Sequence, residues 1–101
     1  SEPVLLFSPV AEEAVSGGVL NVKGDIWPFS IQPVVLELLS PDGKSVGLRI
    51  INVKDINPQL FETSIPYKIT EPMSARLIIR QSDDRMPGRF YVYSQVVLLN
   101  P

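Results

Sequence analysis

Cysteine and histidine are both absent from this chain. Without them there is no disulfide, no thiolate nucleophile and no zinc–sulfur site, and neither a Ser-His-Asp nor a Cys-His arrangement can be assembled. The lack of cysteine leaves the compartment open, since cysteine-free domains occur in the cytosol and among exported proteins alike. Basic runs are missing too. Nine Lys and Arg against eleven Asp and Glu give a net charge of −2, with the signs mixed along the chain. Nothing here neutralises a phosphate backbone, which argues against nucleic acid as a partner. The longest apolar stretches are a few residues, too short to span a bilayer as a helix. Neither common glycine-rich phosphate loop is present, and no run of alternating Asp and Asn resembles a calcium loop. No cofactor and no metal are therefore expected. The opening Ser1-Glu2-Pro3 carries neither the charged nor the apolar region of a secretory signal.

What is present is strand material. The 101 residues are 45% apolar and 20% charged, which suits one folded domain. Short runs rich in β-branched and aromatic residues recur about every ten residues, punctuated by Pro, Gly, Asn and Asp. They predict strands at Val4–Phe7, Val19–Lys23, Val34–Leu39, Val46–Val53, Leu60–Ile65, Ala75–Gln81 and Phe90–Leu99. No proline-free window carries a helical apolar period, and the ten prolines fall mainly between the runs. Val10–Ser16, confined by Pro9 and Gly17-Gly18, reads as a loop. Seven strands is the number an immunoglobulin-like antiparallel β-sandwich needs, so residues 1–101 are read as a single all-β domain of that class. The chain starts and stops within a few residues of its outermost strands, and the expectation is a segment excised from a longer protein.

Ser40-Pro41-Asp42-Gly43 is the sharpest local signal. Proline pre-sets φ at the first turn position, and glycine takes the left-handed position that closes a hairpin between Val34–Leu39 and Val46–Val53. Alternation assigns faces within strands. Leu20 and Val22 should point inward against Asn21 and Lys23, and Leu36 and Leu38 against Glu37. Leu77 and Ile79 should do so against Arg76 and Arg80, and Phe61, Thr63 and Ile65 against Glu62 and Ser64.

The order of these elements has a counterpart. Phe7-Ser8-Pro9, Val15 to Gly18, Leu20-Asn21-Val22-Lys23-Gly24 and Asp25-Ile26-Trp27-Pro28-Phe29 are followed by Val35-Leu36-Glu37-Leu38 and Pro41-Asp42-Gly43. Phe61-Glu62-Thr63-Ser64-Ile65-Pro66 and Val96-Val97-Leu98-Leu99 complete the series. Together they resemble the immunoglobulin-like domain of bacterial spore germination proteins, a family also found in exported bacterial lipoproteins. The resemblance covers nearly the whole chain. It departs at Phe29-Ser30, where the family usually has Phe-Glu. It implies an accessory, non-catalytic, extracytoplasmic domain of an exported or cell-envelope protein, with a lipoprotein anchor upstream as one arrangement.

Three places invite a functional reading. Asp83-Asp84 is an adjacent carboxylate pair, but Arg80 and Arg85 flank it, and a solvated turn with surface ion pairs accounts for it without catalysis. Trp27-Pro28-Phe29 is the densest aromatic site. With Tyr67 it can form an end-loop platform for a carbohydrate or other small ligand, or Trp27 can plug the open end of the sandwich. In the last strand, an inward set of Val92, Ser94, Val96 and Leu98 would leave Tyr91, Tyr93, Gln95, Val97 and Leu99 outside, beside Arg76, Ile78 and Arg80. Such a face has the composition of a protein interface, for a partner protein, a neighbouring domain or a second copy. A shift of one residue would exchange the two faces.

Overall fold

The structure, a computed structural model, describes residues 4–28, 30–82 and 90–101; at 82 and 90–92 the backbone alone is described. The strands are β1 (Val4–Ser8), β2 (Ala14–Val15), β3 (Val19–Ile26), β4 (Val34–Leu39), β5 (Ser45–Ile51), β6 (Gln59–Pro66), β7 (Met73–Ser82) and β8 (Phe90–Leu99). A small sheet runs β1-β3-β6 and a large one β2-β8-β7-β4-β5. All ladders are antiparallel except the short parallel pairing of β2 with β8. This is an all-β sandwich with immunoglobulin-like connectivity: β3 and β6 pair in one sheet, while β4, β7 and β8 adjoin in the other.

Alternation explains how the sheets face each other. On β3, Leu20, Val22 and Ile26 are buried, and so are Leu36 and Leu38 on β4 and Leu77 and Ile79 on β7. Ile65 from β6 and Val97 and Leu99 from β8 complete a core closed between the sheets. Fully burying each such branched side chain is worth about 1.5–3 kcal/mol. The inward sets expected on β3, β4, β6 and β7 are the ones observed, with Phe61 packed against the core from the side. Gly24 has a specific place here. A β-carbon at this position would collide with the Leu5 carbonyl, so glycine lets β1 lie close to β3.

The turn after β4 also follows its sequence. The Gly43 N–H donates to the Ser40 carbonyl at 2.9 Å, and Gly43 has φ +86°. Ser40 Oγ bonds the Asp42 carboxylate and accepts from the Lys44 N–H at 3.1 Å. A β-carbon on Gly43 would meet nothing within 4 Å, so substitution there costs backbone conformation and not space. Gly43→Val is expected to destabilise the domain by about 1–2 kcal/mol in chemical denaturation. An unchanged unfolding midpoint would show that this turn tolerates a side chain.

Two expectations are corrected. Residues 10–16 are not wholly loop: Ala14 and Val15 pair with Leu98 and Leu99. The Glu12 N–H donates to the Val96 carbonyl at 2.9 Å, the Leu98 N–H to the Glu13 carbonyl at 3.0 Å, and Asn100 N–H to the Val15 carbonyl at 2.7 Å. These partners lie at the opposite end of the chain, so no local pattern announces them. The second correction concerns β8, whose faces are exchanged relative to expectation. Val97 and Leu99 are buried and Leu98 is exposed. Residues directly opposite each other in a ladder share a face, and β7 opposes Ala75 to Val97, Leu77 to Gln95 and Ile79 to Tyr93. Burial of Ala75, Leu77 and Ile79 therefore carries Val97, Gln95 and Tyr93 to the inner side. Val96 to Leu99 is apolar at every position, so alternation is silent there.

Candidate functional site

The exchange on β8 changes the face the sequence singled out. Arg76, Ile78 and Arg80 stay on the outer side of the large sheet, but Tyr93 does not join them. It packs against the core and donates from its hydroxyl to Gln95 Oε1 at 2.7 Å, while Gln95 Nε2 donates to the Pro9 carbonyl at 2.7 Å. The Tyr91 side chain lies outside the described residues. Ser94, Val96 and Leu98 take the outer positions instead.

Register builds the outer face row by row. One row holds Ile50, Val35 and Arg80, the next Leu48, Glu37, Ile78 and Ser94, and a third Leu39, Arg76 and Val96. Leu98 continues it opposite Ser74. Leu48 is 48% exposed and Ile50 56%, which is unusual for aliphatic side chains on a regular strand. One ion pair sits amid them. Arg80 Nη1 donates to Glu37 Oε1 at 2.9 Å, the side chains being 40% and 19% exposed. A hydrogen bond from Ser45 and then the one from Arg80 hold the Glu37 carboxyl below its ordinary pKa, so the pair stays charged at neutral pH. Arg76 is exposed and donates from Nη1 to Ser94 Oγ at 3.3 Å. Near the Ser40-Pro41 turn a shallow groove of about 240 Å³ opens between Leu39, Ser74, Arg76 and Val96. The face is thus broad, rigid and mixed. Aliphatic side chains surround a satisfied ion pair, an arrangement that suits a protein surface better than a small molecule.

The end-loop aromatics separate. Trp27 is 52% exposed just beyond β3, and Phe29 lies outside the described residues. Tyr67 is in the core. Its hydroxyl donates to the Asn100 carbonyl at 2.7 Å, and its N–H to the Gly18 carbonyl at 2.9 Å. A platform of Trp27, Phe29 and Tyr67 therefore loses Tyr67, which ties the end of β6 to Asn100 just after β8. Asp83, Asp84 and Arg85 fall outside the described residues. Among the described residues no three carboxylates come together as a metal site would require, and no helix is long and apolar enough to cross a membrane.

Sequence reasoning missed Gln81. This buried amide donates from Nε2 to the carbonyls of Ser30 at 2.9 Å and Gln32 at 2.8 Å, anchoring residues 30–32 to β7. The signal was a polar residue at the inward position that continues Leu77 and Ile79.

What the fold and this face define is a β-sandwich domain with an exposed, partly apolar sheet surface. No family, curated protein or solved structure matches the chain.

Proposed function

We propose that the domain is a non-catalytic interaction module that docks a protein partner on the outer face of its large sheet. The observation that carries this reading is the exposure of Leu48 and Ile50 on a regular strand, in register with Ile78 and the Glu37–Arg80 pair. Exposed aliphatic side chains in rigid rows supply contact area at little entropic cost, and the flanking arginines set orientation. The partner is a neighbouring domain, another protein or a second copy. Resemblance to the immunoglobulin-like domain of spore germination proteins supports an extracytoplasmic setting in the cell envelope, and the absence of histidine and cysteine supports a role without catalysis.

The test pairs stability with association. Leu48→Gln combined with Ile78→Thr, which adds no charge beside Glu37, is expected to change unfolding free energy by less than about 1 kcal/mol, since Leu48 is exposed and Ile78 partly so. The same variant should lose self-association in sedimentation equilibrium, or pull-down of a native protein partner. Association equal to that of the unmodified chain would sink this reading.

A further inference from the structure

The opposite side of the sandwich carries a different kind of surface. On the outer face of the small sheet a shallow groove of about 500 Å³ is lined by Ser8, Asn21, Lys23, Glu62 and Ser64. Lys23 lies directly between Ser8 on β1 and Glu62 on β6. Among the described residues neither Lys23 nor Glu62 is in an ion pair. Asn21 Oδ1 accepts from Ser64 Oγ at 2.8 Å, which leaves the Asn21 amide hydrogens for other acceptors. The groove thus offers an ammonium and an amide as donors, a carboxylate as acceptor and hydroxyls that serve as either, with no net charge.

Apolar surface borders this polar strip. Phe7 is half-exposed on β1 beside Ser8, and one row further Leu5 and Leu60 flank Asp25, with Leu60 67% exposed. Beyond them β3 leads to Trp27. Asn21, Lys23 and Asp25 alternate along the outer side of β3, so the distance from Asn21 to Trp27 is about 20 Å at roughly 3.3 Å per residue.

We propose that this strip binds a neutral oligosaccharide laid along β3, its hydroxyls on Asn21, Lys23 and Glu62 and its C–H faces toward the apolar border. Three features select that ligand. Vicinal hydroxyls both donate and accept, which a side-by-side cation, amide and carboxylate satisfy together. Lys23 and Glu62 cancel and Asp25 adds one negative charge along the strip, so nothing here pulls on phosphate or another anionic chain. An extended peptide adds to a sheet through free backbone groups at an edge, whereas the backbone of β3 is spent in ladders on both sides. This site lies on the sheet opposite the proposed protein-docking face, so the two stand or fall separately.

The chain's single tryptophan makes the test direct. The protein would be titrated with cellotetraose, chitotetraose and maltotetraose, following amide chemical shifts and Trp27 emission. At least one sugar should shift Asn21, Lys23 and Glu62 together. Glu62→Gln and Lys23→Ala should each weaken that binding about tenfold or more with unchanged melting temperature, while Leu48→Gln with Ile78→Thr leaves it intact. No shift at these residues with any of the three sugars would overturn the proposal. So would undiminished binding in both groove variants, or displacement of the sugar by inorganic phosphate.

Discussion

Leu77→Ala should cost about 2–5 kcal/mol of unfolding free energy, the largest effect expected of any substitution named here. Leu77 is fully buried on β7, between Leu38 on β4 and Gln95 on β8. Strands on both sides restrain it, so the cavity left by truncation has little room to close, and the cavity cost adds to the lost transfer energy. Leu36, also fully buried and opposite Ile79, should behave alike. Arg80→Ala removes a partly exposed partner of Glu37 and should cost under about 1 kcal/mol. Chemical denaturation of the three variants checks the order. A larger loss at Arg80 than at Leu77 would place the core on the wrong side of the large sheet.

The second large effect belongs to a polar residue. Gln81→Ala removes the amide that serves the Ser30 and Gln32 carbonyls from within the core. Leaving a buried acceptor without its donor costs roughly 1–3 kcal/mol, and the vacated volume adds to that. Gln81→Leu restores apolar volume without restoring the donor, so it should recover only the cavity part. The diagnostic is where the damage appears. Amide hydrogen exchange should accelerate first at residues 30–32, before the strands of the large sheet. If exchange there stays as slow as in the unmodified protein, the loop is held by something other than Gln81.

These two residues also show how far local pattern reaches. Leu77 was legible because β7 alternates cleanly between Leu77 and Ile79 inside and Arg76 and Arg80 outside. Gln81 follows the same alternation, yet its polarity hides the burial that the ladder imposes. The Ser40-Pro41-Asp42-Gly43 turn was legible because its constraints lie within four consecutive residues. On β8 the pattern fails for a physical reason. Four apolar residues in a row, Val96 to Leu99, satisfy either face, and only pairing with β7 decides between them. The short β2 is invisible for a related reason, since its partner is the last strand of the chain. Tyr67 reads as an end-loop aromatic, and the partner of its hydroxyl, the Asn100 carbonyl, lies 33 residues away where local pattern cannot reach.

The correction on β8 strengthens one part of the interface and removes another. Arg76, Ile78 and Arg80 keep the outer positions the sequence assigned them, while aliphatic side chains of β5 and β8 take the place of Tyr93. Contact there depends on aliphatic area around one ion pair, so charge reversal at Arg76 alone should matter less than polar substitution of Leu48 and Ile78.

The central claim, that this face docks a protein, is tested most directly by site-specific photo-crosslinking in the cells that make the protein. A benzophenone amino acid placed singly at Leu48, Ile78 or Leu98 should yield one discrete protein adduct, the same at all three positions. Placed at Lys23 or Glu62, on the opposite sheet, it should yield none. Equal adducts from both sheets, or none from Leu48, Ile78 and Leu98, would contradict the account.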